Sequence, residues 1–210
     1  MNNKTNKIYN KYIKRLLDII ISIVFIILLL PIFIIICLLI LIFDRDKIFF
    51  FQTRTGYKGK EFKIYKFRTM KNDEITKIGK VLRKTSLDEI PQFFNVLFGH
   101  MSFIGPRPWI PEYYKRFDRN QKRRVQARPG IIGLAQVNGR NQIDIFTKIK
   151  YDLEYIDNIT FTMDLKILFK SIKAVLHNNE EFESNFSIEK ELNDLVQRGN
   201  NIWLIKLIIN

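Results

Sequence analysis

Arg83-Lys84-Thr85-Ser86-Leu87-Asp88-Glu89-Ile90-Pro91-Gln92-Phe93-Phe94-Asn95-Val96-Leu97 sets two adjacent carboxylates after a cation and before an apolar run. Ile90, Phe93, Phe94 and Leu97 recur at the spacing of one helix face, and Gly99 stands where a helix stops. The pattern predicts a helix opening at or near the carboxylates. Two starts fit: Ser86 as N-cap with Glu89 closing a capping box, or Asp88 as N-cap with Pro91 at the third helical position. Pro91 favours the second, because there its missing N–H has no intrahelical partner to lose. Capping by itself accounts for acidic residues in a first turn. It leaves unexplained Gly105-Pro106-Arg107-Pro108, Arg128-Pro129-Gly130 and Gln136-Val137-Asn138-Gly139-Arg140, each holding an arginine in a stiff or tightly turned segment. A guanidinium offers a planar fork of donors that suits phosphate, and flanking prolines reduce the freedom lost on binding.

The 210 residues accommodate one domain and a tail rather than two full cores. A net charge of +14 calls for an anionic partner: phosphate ligands, an anionic lipid surface or nucleic acid. The charge is uneven, with 3 Lys and Arg against 6 Asp and Glu in residues 178–210 and a strong basic excess before them. Cys37, the one cysteine, excludes an internal disulfide and a cysteine-rich metal site, and reads as packing. His100 and His177, the two histidines, have no metal-ligand spacing and no nucleophile motif beside them, which sets aside zinc sites and acyl-transfer triads.

Five cations, Lys4, Lys7, Lys11, Lys14 and Arg15, precede an apolar run from Ile19 to Phe43 broken only by Ser22, Pro31 and Cys37. The run is too long for a secretory signal and lacks a small-residue cleavage site. At about 1.5 Å per residue it reaches roughly 37 Å, enough to cross a hydrocarbon core of about 30 Å. The far flank is equally basic, with Arg45, Lys47, Arg54, Lys58 and Lys60, so charge asymmetry assigns no direction. Balanced flanks fit a re-entrant hairpin over residues 16–43 whose apex is Pro31. A proline-kinked spanning helix is the alternative.

Lys47–Gln52 and Glu61–Phe67, joined by Gly56-Tyr57-Lys58-Gly59, predict a small β-hairpin. Its Lys63, Lys66 and Arg68 either face phosphate or form a solvated basic strand. The basic segment from Pro111 to Arg128, with Tyr113 and Tyr114 at one end, reads as a helix lying in lipid headgroups or on a solvated surface. Residues 151–176 read as one helix with Leu165, Leu168 and Ile172 on a face. After His177 come an acidic helix candidate, Ile188–Gln197, and the apolar end Ile202–Ile209, which is too short to span. The fold class expected is α+β, helix-dominated and monotopic.

Several separate motifs resemble the bacterial sugar transferase family, the small monotopic phosphoglycosyl transferases. They are Lys14-Arg15-Leu16-Leu17-Asp18, Phe62-Lys63-Ile64-Tyr65-Lys66-Phe67-Arg68-Thr69-Met70, Ser86-Leu87-Asp88-Glu89, Phe93-Phe94-Asn95-Val96-Leu97, Gly105-Pro106-Arg107-Pro108 and Arg128-Pro129-Gly130. The resemblance covers residues 1–177 as a sugar transferase domain and leaves 178–210 as a tail whose role is open: dimer contact, interfacial anchor or stub of a further domain.

The resemblance implies transfer of a sugar 1-phosphate from a UDP-sugar to undecaprenyl phosphate, with UMP released, at the cytoplasmic face of the bacterial inner membrane. It places the family's catalytic dyad on Asp88 and Glu89, with Asp88 attacking phosphorus and holding Mg²⁺, or Mn²⁺ in its place. Arg83, Arg107, Arg128 and Arg140 are the candidates for binding phosphates, Arg83 and Arg107 foremost. Two departures stand out: Leu30-Pro31 replaces the family's Ser-Pro at the helix break, and His100 replaces an aspartate after the glycine. The rival readings are a membrane-tethered nucleic-acid-binding protein, for which no recognised RNA-binding pattern appears, and a non-catalytic membrane scaffold, which retention of both carboxylates opposes.

Overall fold

The computed structural model describes residues 8–139, 142–177 and 188–196. It divides the chain into two compact units, one formed by the chain up to Arg54 with Phe62–Phe103, the other by Thr55–Glu61 with the chain from Ile104 onward. Helices dominate both, and the sheets are small and two-stranded.

The first unit is built on α1 (Lys14–Leu39), which π-type turns at Tyr9–Ile13 and Ile40–Asp44 extend to a 36-residue helix from Tyr9 to Asp44. Arg45, with φ 47°, ends it in the left-handed region. This helix is long and apolar enough to cross a membrane. Lys14, Asp18, Ser22, Phe25, Leu29, Phe33, Ile36 and Ile40 recur every three or four residues and make the stripe that turns inward. Its lower half is apolar: Ile36 and Ile40 are buried with Phe67, Leu82 and Ile90, while Leu29 and Phe33 close the cluster. The other faces expose Ile27 and Leu28 at 67% each, an apolar surface that water does not favour. The break expected at Pro31 does not interrupt the element; Pro31 lies inside α1 with helix on both sides. A proline deletes one i→i−4 bond but leaves the bonds above and below it to continue the helix.

The expected hairpin forms from β1 (Phe49–Thr55) and β2 (Glu61–Phe67), with the first strand starting later than its composition suggested. Two further short strands, β3 (Met70–Lys71) and β4 (Glu74–Ile75), pair antiparallel around Asn72 and Asp73, whose φ of 50° and 63° such residues tolerate in tight turns. Helix α2 (Lys77–Thr85) follows, capped by Thr76, whose hydroxyl accepts the Gly79 N–H at 2.9 Å.

Neither expected start of the next helix is realised. Ser86 adopts φ 58° as the left-handed end of α2, so it cannot also take the extended geometry of an N-cap, and no capping box closes. Leu87–Glu89 form a 3₁₀ turn whose bonds, Glu89 N–H to Ser86 and Ile90 N–H to Leu87, run i→i−3. Helix α3 (Gln92–Leu97) begins only after Pro91, and Gly99, with φ 83°, ends it as anticipated. The buried stripe also differs. Ile90 is buried and Phe93 and Phe94 are half-buried against α1, with Phe93 stacked on Phe25 at 5.2 Å, but the deepest side chains of α3 are Gln92, Asn95 and Val96.

Asn95 explains this shift. Its Oδ1 accepts the Tyr65 N–H at 2.9 Å and its Nδ2 donates to the Lys63 carbonyl at 2.8 Å, so a carboxamide stands in for a neighbouring strand on β2.

In the second unit, α4 (Pro111–Arg116) and a 3₁₀ segment, Gln121–Gln126, replace the single basic helix expected there. Phe117 is extended between them and buried with Tyr113 against Ile145 and Ile149. Helix α5 (Leu134–Gly139) is followed by α6 (Ile145–Asp157) and α7 (Phe161–His177), where one long helix was expected. Asn158 leaves helical geometry, and Thr160 caps α7 by accepting the Met163 N–H. The Tyr155 hydroxyl donates to Asp164 at 2.7 Å and so fastens the end of one helix to the start of the next. The inward face of α7 is consequently Asp164 and Ile167, while Ile172 is 49% exposed. Residues 188–196 form the helix expected in the tail. The apolar end 202–209 lies outside the described residues.

Asn95→Ala leaves a strand N–H and carbonyl without their partner and is expected to cost about 2–4 kcal/mol of stability. Thermal unfolding in detergent, followed by tryptophan fluorescence, measures it; Asn95→Asp, which keeps the acceptor, is expected to lose less.

Candidate active site

The 3₁₀ turn determines how the two carboxylates face their surroundings. With three residues per turn, Asp88 and Glu89 point in different directions from a tight, shielded loop, Asp88 being 8% exposed. Lys66, on β2, reaches both. Its Nζ donates to Glu89 Oε1 at 2.7 Å and lies 3.5 Å from Asp88 Oδ2. All three side chains retain between 11% and 18% exposure, so the cluster is sheltered yet reachable by a ligand. One cation set against two adjacent anions relieves part of their repulsion and orients Glu89 through the shorter contact.

Arg83 belongs to the same unit. Its Nε donates to the Thr69 hydroxyl at 2.9 Å, from the last turn of α2. Gly79, one helical turn earlier on that face, makes this approach possible: a Cβ there would lie 2.1 Å from the Thr69 carbonyl oxygen. The stretch Lys66–Thr69 thus serves twice, through a lysine on the carboxylates and a threonine on the arginine, while Phe67 between them is 1% exposed in the core. Beneath the carboxylates, Arg15 of α1 donates to the Val96 and Leu97 carbonyls at 2.6 and 2.8 Å and caps α3. Asp18, one turn on, accepts from the Ser102 hydroxyl and the Phe103 N–H at 3.0 and 2.9 Å. His100, the departure noted above, is exposed and stacks on Phe62 at 6.0 Å.

Arg107 and Arg128 lie in the second unit, where their segments are pressed together. Gly105 N–H donates to Ile132 and Gly130 N–H to Pro106, at 2.9 and 3.0 Å. A Cβ on Gly130 would sit 2.1 Å from the Gly105 nitrogen, so only glycine permits the approach. The Arg128 guanidinium lies over Tyr57, 5.4 Å from the ring centre. Arg107 is held through its carbonyl, which accepts from Arg124 at 2.6 Å. Arg124 is 3% exposed, bonds Asp152 twice, at 2.9 and 2.6 Å, and stacks over Trp109 at 4.3 Å. Burial pushes the Asp152 carboxyl above the usual range against the opposing pull of Arg124. Arg140 lies outside the described residues.

Among the described residues no group of three or more His, Cys, Asp or Glu side chains is placed to hold a metal by protein ligands alone. Asp88 and Glu89 offer hard oxygen donors, which fit a Mg²⁺ or Mn²⁺ ion that takes its remaining ligands from substrate oxygens and water.

A profile of the bacterial sugar transferase family matches residues 9–178. The chain belongs to the bacterial sugar transferase family. It is 43% identical over 141 residues to EpsL of Bacillus subtilis (strain 168), an uncharacterized sugar transferase, an alignment covering 61% of this chain and 70% of that protein. It is 43% identical over 185 residues to the UDP-glucose:undecaprenyl-phosphate glucose-1-phosphate transferase of Klebsiella pneumoniae, over 78% of this chain and 40% of the relative. It is 36% identical over 206 residues to the undecaprenyl-phosphate galactose phosphotransferase of Salmonella typhimurium, over 84% and 43%. The chain therefore spans less than half the length of the last two relatives. In this sugar transferase the match ends at residue 178, ahead of the tail helix.

Sequence reasoning did not single out Lys66 as the partner of the carboxylates, Asn95 as the strand anchor, or Arg124 as a buried support. A polar residue inside an apolar helical stripe was the available signal for Asn95. Arg124 sat among so many exposed cations that composition hid it.

Arg124→Met removes one half of a buried ion pair and is expected to cost about 3–5 kcal/mol. The double variant with Asp152→Leu is expected to recover most of that loss in the same thermal unfolding measurement, since no uncompensated charge remains.

Proposed function

We propose that the protein transfers a sugar 1-phosphate from a UDP-sugar to undecaprenyl phosphate, releasing UMP, as a membrane step in assembling a surface polysaccharide or glycoconjugate. The observation that carries the reading is the Asp88–Glu89 pair held by Lys66 in a chain of this family. The names of the Klebsiella and Salmonella relatives support the acceptor and the chemistry class.

Asp88 is the nucleophile. One of its carboxylate oxygens bonds to the phosphorus that carries the sugar, and the bond from that phosphorus to the bridging oxygen breaks as UMP departs with the electron pair. A phosphate oxygen of the acceptor then attacks the same phosphorus, and Asp88 leaves as a carboxylate. The result is a polyprenyl diphosphate sugar, formed in two displacements with ping-pong kinetics. An anion attacking a diphosphate needs neutralisation, because unit charges about 4 Å apart interact by roughly 4 kcal/mol at an effective dielectric of about 20. Lys66 supplies positive charge beside Asp88 and holds Glu89, which orients water, metal or acceptor. Arg83, Arg107, Arg128 and Arg140 are assigned to phosphates. Asp88 and Glu89 would hold Mg²⁺, whose chemistry is to withdraw charge from the diphosphate oxygens.

The 36-residue helix anchors the chain. Its balanced basic flanks favour both ends on the cytoplasmic side of the inner membrane, which a helix continuous through Pro31 allows only by bending within its length, with the exposed faces of α1 in lipid.

Asp88→Asn preserves shape and removes the anion, so UMP release from a UDP-sugar and undecaprenyl phosphate is expected to fall to background in a folded protein. With labelled donor and no acceptor, the wild type is expected to carry a phosphosugar on the peptide containing Asp88 by mass spectrometry; an adduct elsewhere rejects the assignment. Turnover is expected to stop in EDTA and return with Mg²⁺ or Mn²⁺, while undiminished turnover in chelator rules the metal out. In a Cys37→Ala background, cysteines at Asn3 and Lys60 are expected to share one side of the membrane, and an impermeant thiol reagent that labels only one of them in intact cells establishes a spanning helix instead.

A further inference from the structure

Residues 188–196 lie beyond the span that matches the family, yet they are fastened to the second unit by buried polar and apolar contacts. Glu191 is 9% exposed. Its Oε2 accepts from the Tyr113 hydroxyl at 2.6 Å, and its Oε1 accepts from Lys148 Nζ at 2.7 Å. Leu192, one residue on, and Leu195, four residues on and 4% exposed, pack on the cluster of Tyr113, Phe117, Ile145 and Ile149. Spacing of this kind puts Glu191, Leu192 and Leu195 on one helix face, which is the face that docks. A carboxylate is rarely buried unless paired, and here both of its oxygens are paired.

The contacts continue toward Arg107. The Tyr113 ring packs at a tilt against Trp109, with centroids 5.1 Å apart, and Trp109 carries the Arg124 guanidinium on its face at 4.3 Å. Arg124 in turn holds the Arg107 carbonyl. Trp109 is two residues from Arg107, and its own carbonyl accepts the Thr55 N–H at 2.8 Å. The links from Glu191 to Arg107 are thus a hydrogen bond, a ring contact, a cation over a ring and a second hydrogen bond, a contiguous packed network of the kind proposed to carry coupling between sites.

We propose that the helix 188–196 is an intramolecular clasp, with Glu191 a positioning residue that sets the segment Gly105–Trp109 and thereby the affinity of the protein for the diphosphate of its donor. The proposal rests on the reading of Arg107 as a phosphate ligand. A clasp on a binding segment acts on substrate affinity rather than on bond making, which occurs at Asp88.

The test combines two readouts on the full chain in detergent. Hydrogen–deuterium exchange of residues 105–117 reports the clasp without any activity, and the KM for a UDP-sugar against kcat reports its consequence. Glu191→Ala is expected to raise exchange across 105–117 and to raise KM about three- to tenfold, within the range for coupling through packed side chains, with kcat within twofold. Glu191→Gln retains an acceptor for Tyr113 and is expected to restore most of both values. Tyr113→Phe combined with Glu191→Ala is expected to add little to either single change, since both break one link.

Unchanged exchange in Glu191→Ala overturns the clasp. Raised exchange with unchanged KM, or an equal fall in kcat, overturns the positioning role. Should the wild type release no UMP from any UDP-sugar, the functional reading and the positioning role that rests on it both fall, while the exchange arm still decides whether the helix holds the segment. Leu195→Ala, which thins the apolar contact and leaves Glu191 in place, guards against a misfolded charge variant and is expected to shift exchange in the same direction.

Discussion

A single buried carboxamide holds the carboxylate turn to its lysine. Asn95 bonds β2 on both sides of Ile64, at the Lys63 carbonyl and the Tyr65 N–H, and so fixes α3 against the strand that carries Lys66. The turn bearing Asp88 and Glu89 leads directly into α3, and its distance from Lys66 follows from that attachment. Two hydrogen bonds with defined directions constrain both register and rotation, which apolar packing alone specifies poorly. The polar side chain thus does what Phe93 and Phe94 cannot, while those rings supply apolar contact with α1.

Helix α1 combines two kinds of adhesion on one stripe. Near its start, Arg15 and Asp18 grip the backbone on either side of Gly99, through the last carbonyls of α3 and the Phe103 N–H. Further along, Phe33, Ile36 and Ile40 pack on Phe67, Leu82 and Ile90. The remaining faces are apolar and uncovered by protein, so the helix that supports the carboxylate turn is also the element suited to lipid.

In the second unit the arginine segments are positioned by backbone proximity. Gly105 and Gly130 allow two backbone segments to touch without side chains between them, and the prolines beside them stiffen the approach. Arg124 and Asp152 then hold the Arg107 carbonyl from below, at the desolvation cost that any buried ion pair carries. A cation used in this way is a structural part, although in composition it is indistinguishable from its exposed neighbours Lys115, Arg116 and Arg119.

By itself the sequence determined the long apolar helix, the β-hairpin, the adjacent carboxylates and the family, because each is written in local periodicity or in short motifs. The tail helix and the stop at Gly99 were legible for the same reason. The tertiary structure alone decided that Ser86 turns left-handed and denies the carboxylates a helix N-cap, that Asn95 faces inward, and that Lys66 reaches both Asp88 and Glu89. It also split the expected helices at Phe117 and Asn158, where buried pairs such as Arg124–Asp152 and Tyr155–Asp164 take precedence over continued helix. Asn95, Lys66 and Arg124 meet partners tens of residues away, and Tyr155 meets Asp164 across the gap between two helices. Propensity and spacing along the chain carry no term for such partners, and a buried polar group goes wherever its hydrogen bonds can be completed.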